Sequence, residues 1–130
     1  MTTIVVTAAI IERDGRFLVT RRQPGVHLAG AWEFPGGKCD AGESLSACMT
    51  RELREELAIE AAVGLEVLTT KHEYADRRVE LHFFRCESAD EPSPVLGQEM
   101  RWVERDELGQ LEFPPADAEL IRILSRSADL

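Results

Sequence analysis

The sequence predicts an α/β (or α+β) fold in which a mixed β-sheet has helices on both faces. Runs of β-branched and apolar residues, the first from Thr3 to Ile11, are typical of buried strands. Two segments have helical spacing instead: Leu45 to Leu57, and the stretch that follows Pro114-Pro115. Strands that alternate with a central and a terminal helix favour this layered arrangement. At 130 residues the chain is expected to form one domain, residues 1–130.

The first half of the predicted sheet contains a hairpin and a short strand. Arg13 to Arg16, with Asp-Gly at its centre, is typical of a hairpin turn, and Phe17 to Thr20 is the returning strand. Gln23 to Ala31 contains proline and glycine and is expected to be a loop. Trp32 to Phe34 is then a short strand that leads into Pro-Gly-Gly, where we expect the chain to turn sharply.

The central helix has a clear start and an apolar side. Ser44 is a suitable N-cap, and Glu43 lies beside the positive end of the helix dipole. No glycine or proline interrupts residues 45–57. Met49, Leu53 and Leu57 recur every four residues and form an apolar stripe, which is typical of a helix that packs on a core.

Three glutamates share another side of this helix. At about 100° per residue, Glu52, Glu55 and Glu56 fall within an arc of about 100°. Carboxylates this close repel one another, which is tolerated on a solvated face, beside Arg51 and Arg54, or where a cation binds. Clustered carboxylate oxygens suit a hard ion such as Mg²⁺ or Mn²⁺. Composition alone leaves the solvated face and the metal site open.

The second half of the chain is predicted to contain three strands and the last helix. Ala61 to Thr70 and Val79 to Arg85 are rich in strand-forming residues and are joined by a short polar turn. A loop with two prolines, residues 87–98, precedes the strand Met100 to Val103. The last helix begins at Pro114-Pro115, and its apolar face is formed by Leu120, Ile121 and Leu124.

Composition restricts the classes of function. The formal net charge of −9 argues against a long nucleic-acid surface, which needs a basic stripe. No apolar run approaches the ~20 residues of a membrane span, and no signal peptide is recognisable, so the cytoplasm is the expected location. Cys39, Cys48 and Cys86 show no CxxC pairing and are interpreted as reduced thiols rather than as a disulfide framework or a zinc site.

The spacing within residues 37–59 resembles the Nudix box, G-x5-E-x7-R-E-U-x-E-E-x-G-U, in which U is a bulky aliphatic residue. The six identities are Gly37, Glu43, Arg51, Glu52, Glu55 and Glu56. Ala58 departs from the pattern, because the family has a glycine there that closes the helix; alanine implies a different C-terminal geometry or modest strain. The resemblance implies an α/β/α sandwich in which the box forms a loop–helix–loop against the sheet.

Similarity to the MutT-type branch of this family extends over nearly the whole chain, notably through Trp32 to Lys38, Gly97 to Trp102 and Phe113 to Asp117. Members of that branch hydrolyse nucleoside triphosphates to nucleoside monophosphate and pyrophosphate. The resemblance therefore implies a small nucleotide substrate, Mg²⁺ or Mn²⁺ as cofactor, and a monomer or homodimer without membrane partners. A hydrolase of nucleotide sugars, ADP-ribose or dinucleoside polyphosphates, and a non-catalytic nucleotide-sensing module, are the alternatives.

The resemblance also assigns roles by position. The metal ligands and catalytic residues would be Glu52, Glu55 and Glu56, with the carbonyl of Gly37 as a further ligand and Glu52 as general base. An ion pair between Glu43 and Arg51 would brace the loop–helix–loop. The phosphate-binding residues would be Arg22 and Lys38, although Arg22 also suits a solvated surface. The base-binding residues would be Tyr74 and Asp117.

Two positions leave a choice. Many relatives place a further glutamate six residues before the tryptophan of the late strand, where this chain has Leu96; either Glu99 substitutes from a shifted loop or that function is absent. An ionised Asp117 accepts hydrogen bonds and suits an exocyclic amine, such as cytosine N4 or adenine N6. A protonated Asp117 in an apolar pocket would donate to the O6 of an oxidised guanine. In a third interpretation, Asp117 only starts the last helix.

Overall fold

The computed structural model describes residues 2–126, which form eight strands and two α-helices. The strands are β1 (Thr3–Ile10), β2 (Glu12–Arg13), β3 (Arg16–Arg21), β4 (Trp32–Glu33), β5 (Gly36–Lys38), β6 (Ala62–Glu73), β7 (Arg78–Glu87) and β8 (Met100–Glu104). Helix α1 (Leu45–Leu57) follows β5, and α2 (Ala118–Arg126) follows the short 3-10 helices Arg105–Gln110 and Pro115–Asp117. Within residues 2–126, no helix combines the length and the apolar character that crossing a membrane requires.

The strands form two sheets. The mixed sheet has the order β5-β1-β7-β6, in which β1 and β7 run parallel and the other pairs are antiparallel. In the second sheet, β3 pairs with β2, β4 and β8, always antiparallel. The predicted mixed sheet is therefore confirmed. The second sheet was not predicted, because runs of two to six residues show where strands lie and not which strands pair.

The two helices, α1 and α2, pack against opposite faces of the mixed sheet. Met49, Leu53 and Leu57 of α1 join Ala9, Ile11, Leu18 and Phe84 in one buried cluster. Leu120 and Leu124 of α2 join Ile10, Phe17 and Phe83 in the other. Neighbours in β1 enter different clusters because successive side chains of a strand point to opposite faces. The layered arrangement predicted from the alternation of strands and helices is confirmed.

Both ends of α1 are formed as the local sequence allows. The N–H of Ala47 donates to the hydroxyl of Ser44 at 3.1 Å, so Ser44 is the N-cap. At the other end Ala58 is left-handed, with φ 56°, and its N–H donates to the carbonyl of Arg54 at 3.0 Å. The chain therefore keeps the closing geometry that favours glycine and accepts the strain, which costs a non-glycine residue about 1–2 kcal/mol.

Of the predicted sharp turn at Pro35-Gly36-Gly37, the structure has only a bend at Pro35. Gly36 and Gly37 lie in the extended strand β5, paired with Ala8 and Thr7 of β1. Glycine is needed there because other groups approach closely. A Cβ on Gly36 would lie 1.9 Å from the carbonyl oxygen of Thr7, and a Cβ on Gly37 would lie 2.2 Å from the Glu52 carboxylate. This strand brings the backbone directly under α1.

Candidate active site

An acidic cleft opens between α1 and the second sheet. Its walls include the three helix glutamates, Glu52, Glu55 and Glu56, together with Arg22, Glu33 and Gln98. The glutamates line it together because they share one arc of α1, while the apolar stripe of the same helix is buried in the core. The solvated-face interpretation therefore fails for Glu56, which is buried, and holds only for the exposed Glu55.

Glu56 is held at the back of the acidic cleft. Its carboxylate accepts hydrogen bonds from the hydroxyl of Thr20 and from the N–H of Gly36, both at 3.2 Å. Burial, reinforced by the nearby charge of Glu33, raises the pKa of Glu56 to about 8. Two strands thus fix the orientation of a carboxyl group that is costly to ionise without a cation beside it.

Arg51 connects α1 to the chain that precedes it. Its guanidinium donates to Glu43 through two nitrogens, at 2.7 and 2.9 Å, and to the carbonyl of Lys38 at 3.0 Å. These hydrogen bonds lower the pKa of Glu43 to about 2. The same guanidinium donates to Glu52 at 2.9 Å and to Glu55 at 2.8 Å. Burial still raises the pKa of Glu52, although Arg51 opposes the shift.

The donors of the acidic cleft suit a hard divalent cation. They are carboxylate oxygens on one helix arc, and Glu52 packs directly over Gly37, whose carbonyl is the further predicted ligand. Within residues 2–126 the oxygens of the three glutamates do not all lie within 4.8 Å of one another, because Arg51 bonds two of them and strand groups hold the third. Arg51 thus supplies the positive charge that a cation would otherwise supply.

An apolar pocket lies on the α2 side of the mixed sheet. Its floor consists of β1 and β7 side chains, and one wall consists of Phe34, Pro114 and Ala116. Arg22, Glu33 and Gly36 line both this pocket and the acidic cleft, so the two cavities share a wall. Together they offer a mainly apolar space next to a charged one.

Asp117 is buried in the apolar pocket. It is 4% exposed, and within residues 2–126 its carboxyl group has no hydrogen-bond partner. Burial, together with the charge of Glu33, raises its pKa to about 7, although Arg22 opposes the shift. Asp117 also lies in the first turn of the 3-10 helix Pro115–Asp117, so the helix-start interpretation stays an alternative to contact with a ligand. The apolar surroundings required for a protonated Asp117 are present.

Arg22 belongs to the shared wall. It is not a solvated surface arginine: one guanidinium nitrogen donates to Glu33 at 2.7 Å and another to the carbonyl of His27 at 2.6 Å. Burial raises the pKa of Glu33, and Arg22 partly counteracts this. The pair lies where a ligand would pass from one cavity to the other.

Lys38 and Tyr74 lie further from the centre than Arg22. Lys38 is exposed at the edge of the apolar pocket. Tyr74 does not line the pocket; its hydroxyl accepts from the N–H of Ala116 at 3.3 Å, and its ring packs against His27 at 4.7 Å between centroids. Tyr74 therefore supports the pocket wall instead of covering the space inside it.

The loop before β8 places no carboxylate in the acidic cleft. Leu96 and Gln98 line the cleft, and the amide of Gln98 donates to the carbonyl of Glu56 at 3.2 Å. Glu99 instead accepts from Arg21 at 3.0 Å, outside the cleft. Of the two alternatives, this arrangement favours the absence of the extra glutamate.

Sequence reasoning missed Thr20, Glu33 and His27. Thr20 and Glu33 lie on short strands and lack a motif that would distinguish them from ordinary sheet residues. His27 lies in a loop, and its Nε2 is the buried side-chain atom without a hydrogen-bond partner among residues 2–126. It lines the apolar pocket, so a bound ligand can supply that partner.

Known proteins resemble this chain in both sequence and fold. The chain is 40% identical over 127 residues to the CTP pyrophosphohydrolase of Escherichia coli, covering 93% of this chain and 90% of that one. It is 39% identical over 123 residues to the 8-oxo-dGTP diphosphatase of Haemophilus influenzae, with the same shares covered. The crystal structure of the MutT protein from Methanosarcina mazei superimposes with a TM-score of 0.86 at 25% identity, covering 98% of this chain and 96% of that one.

A match to a protein-family model leads to the same family as these individual relatives. The NUDIX domain model matches residues 6–122, which include every residue of the acidic cleft and of its shared wall. Members of this family generally use a divalent metal ion, and the oxygen donors along α1 are of the appropriate type. The chain belongs to the Nudix hydrolase family and is MutT-like.

Proposed function

We propose that this protein is a nucleoside triphosphate pyrophosphohydrolase that requires Mg²⁺ or Mn²⁺ and converts a nucleoside triphosphate and water to a nucleoside monophosphate and pyrophosphate. The observation that carries the proposal is the wall shared by the acidic cleft and the apolar pocket. The nucleobase of a nucleotide fits an apolar pocket with few polar groups, and a metal-bound triphosphate fits a cleft lined by carboxylates. A ligand with both parts spans the wall at Arg22 and Glu33.

In the acidic cleft, Glu52, Glu55, Glu56 and the carbonyl of Gly37 would hold the cation. A bound divalent cation neutralises phosphate oxygens and lowers the pKa of a water molecule. Glu52 is the proposed general base, since it faces the cleft while Glu56 is committed to Thr20 and Gly36. Arg51 positions Glu52 and Glu55 through hydrogen bonds. A bound metal ion would compete with Arg51 for the same carboxylate oxygens.

At the shared wall, Arg22 is the proposed phosphate-binding residue. Lys38, near the pocket edge, is a second positively charged side chain for the phosphates. Arg22 already reaches Glu33 and the backbone of His27, so its guanidinium is oriented before a ligand binds. An oriented guanidinium loses less entropy when it contacts a phosphate. We therefore assign Arg22 to substrate binding.

In the apolar pocket, Asp117 is the proposed base-reading residue, and His27 lines the same pocket. The relatives' names mention CTP and 8-oxo-dGTP. Both bases fit this pocket in principle: ionised Asp117 accepts from the cytosine amine, and protonated Asp117 donates to the O6 of an oxidised guanine. A pKa of about 7 makes both forms available near neutral pH. We propose cytosine and oxidised guanine nucleotides as the substrate class.

The test is a product assay over a panel of nucleotides with and without Mg²⁺. We expect pyrophosphate and monophosphate from dCTP, CTP and 8-oxo-dGTP, and no turnover after chelation. Faster hydrolysis of ADP-ribose, nucleotide sugars or dinucleoside polyphosphates would contradict the substrate class. Nucleotide binding without turnover at any metal concentration would instead identify a non-catalytic sensing module.

A further inference from the structure

Two thiols and a carboxylate meet beside the loop that leads into α1. The Sγ atoms of Cys39 and Cys48 and a carboxylate oxygen of Glu43 all lie within 4.8 Å of one another. Cys39 directly follows β5 and is partly exposed, whereas Cys48 is buried in the first turns of α1. In the part of the chain that the structure describes, no other group of three such side chains lies this close. The nine-residue spacing of these cysteines resembles no metal motif, so the sequence did not reveal the cluster.

The chemistry of this cluster differs from that of the acidic cleft. The cleft offers oxygen donors, which suit hard cations, whereas two sulfurs with one carboxylate suit a borderline or soft cation such as Zn²⁺. Glu43 accepts from Arg51 at both oxygens and from the N–H of Asp40 at 2.9 Å, which leaves one of the about four lone-pair sites of a carboxylate for a cation. Cys48 also contacts the hydroxyl of Thr7 at 3.3 Å, which fixes its side chain.

The spacing of the cluster accommodates metal coordination. In a tetrahedral site, Zn–S bonds of about 2.3 Å and Zn–O bonds of about 2.0 Å place the donor atoms roughly 3.5–3.8 Å apart, which lies within the 4.8 Å that separates these atoms at most. A disulfide would use the two sulfurs alone, whereas a cation also uses the Glu43 carboxylate that lies beside them. The partly exposed Cys39 also provides a route for an ion from solvent.

We propose that Cys39, Cys48 and Glu43 form a binding site for one thiophilic divalent cation of the Zn²⁺ type, with a fourth position open to water. Each thiol releases its proton to solvent when the cation binds. The cluster adjoins the proposed catalytic metal site: the thiol of Cys48 donates to the carbonyl of Gly37 at 3.9 Å, and Glu43 bonds Arg51, which also bonds Glu52 and Glu55. The inference goes beyond the proposed function and does not depend on it.

The experiment uses Cd²⁺ alone as a spectroscopic substitute for Zn²⁺. Fully reduced protein, with saturating Mg²⁺ on the carboxylates and no nucleotide present, is titrated while the thiolate-to-cadmium charge-transfer band is followed in the ultraviolet. We expect one equivalent to bind. Cys39→Ala and Cys48→Ala should each weaken binding by at least ~10-fold, since even outer-shell changes at metal sites cost that much. Far-UV circular dichroism checks that each variant folds.

Cys86→Ala is the matched control, because Cys86 is a buried thiol on β7 outside the cluster. It should bind Cd²⁺ as the wild type does. A wild type without the charge-transfer band would overturn the proposal, as would a Cys39→Ala variant with unchanged affinity. Because turnover is not measured, this failure is distinguishable from a failure of the proposed function.

Discussion

The acidic cleft and the apolar pocket lie side by side but are built in different ways. The three cleft carboxylates proposed as metal ligands lie within five consecutive positions of one helix, residues 52–56, above a backbone strand only fifteen residues earlier. The pocket combines β1, the loop and strand around residues 22–34, β7, and the turn at Pro114 to Asp117. The residues proposed for metal binding are therefore close together in the sequence, whereas those proposed for substrate choice are distributed over the chain.

Each cavity contains a buried carboxyl group with a raised pKa. Burial is the main cause for both Glu56 and Asp117, and the charge of Glu33 adds to it in both. Their partners differ: Glu56 accepts two hydrogen bonds, while Asp117 accepts none within residues 2–126. Glu56 is therefore fixed by the protein, and Asp117 is left to be satisfied by a ligand.

The largest expected effect comes from removing one carboxylate of the acidic cleft. Glu55→Gln or Glu56→Gln should lower kcat by at least ~10³-fold, since losing a ligand to a catalytic cation costs several kcal/mol of barrier. The circular dichroism spectrum should not change. Glu60→Gln is the control, because Glu60 pairs with Arg54 beyond the end of the helix. Near wild-type kcat for either variant at saturating Mg²⁺ would contradict the metal assignment.

In the apolar pocket, Asp117→Asn should act on substrate choice. The amide keeps one acceptor and adds a donor that needs its own partner. The loss of about 1–3 kcal/mol of transition-state binding should lower kcat/KM for dCTP by roughly 5- to 150-fold. The value for 8-oxo-dGTP should fall less or rise. The measurement is the ratio of kcat/KM for the two nucleotides in both proteins. A ratio that does not move would place base recognition elsewhere.

The same ratio should depend on pH in the wild type. With a pKa of about 7, Asp117 passes from the protonated to the ionised form between pH 6 and pH 8. The protonated fraction falls from about 0.9 to about 0.1 over that range, so 8-oxo-dGTP should lose at least ~10-fold relative to dCTP. Groups that affect both substrates cancel in the ratio. A flat profile in Asp117→Asn is the control, and a flat profile in the wild type would contradict this role.

At the shared wall, Arg22→Ala should raise KM for triphosphates by roughly 5- to 10-fold and change kcat less, because it removes binding that the ground state and the transition state share. Arg101→Ala is the matched control: Arg101 pairs with Glu107 and lines neither cavity. Steady-state kinetics with dCTP separate KM from kcat. If Arg22→Ala and Arg101→Ala were equally harmless, Arg22 would have no phosphate role.

The smallest effect concerns neither cavity. Ala58→Gly should raise the free energy of unfolding by about 0.5–1 kcal/mol. The substitution removes the conformational cost of a left-handed alanine, and the larger backbone entropy that glycine loses on folding offsets part of this gain. Urea unfolding measures the change, and kcat should stay the same. Ala61→Gly, just outside the strand β6, provides a comparison at a residue without positive φ. A destabilised Ala58→Gly would contradict the assignment of strain.

The sequence was sufficient for the cleft because its determinants are local. The bounds of α1 follow from the absence of helix breakers and from the Ser44 cap, and the arc of glutamates follows from helix geometry. The hairpin after β1 also follows from local turn chemistry, with Asp14 and Gly15 both at positive φ. Here the deciding interactions act over a few residues, so spacing alone contains the information.

The sequence was insufficient wherever distant segments meet. Glu33 has no neighbour in sequence that indicates its contact with Arg22, its closeness to Asp117 or its effect on Glu56. The glycines of β5 suggested a turn, because glycine supplies turns and close approaches alike, and only the position of β1 and α1 distinguishes the two. Pairing of strands and burial of charges are tertiary properties.

Replacing either glycine of β5 by a residue with a side chain would have a different consequence at each position. At Gly36 the obstacle is the backbone of Thr7, which cannot move without breaking the β5–β1 pairing. At Gly37 the obstacle is the carboxylate of Glu52, a side chain that can swing aside. A side chain at position 36 is therefore expected to disrupt the sheet, whereas one at position 37 is expected to displace Glu52 and leave the fold intact. Position 37 would then be a place where the proposed catalysis can be lost separately from folding.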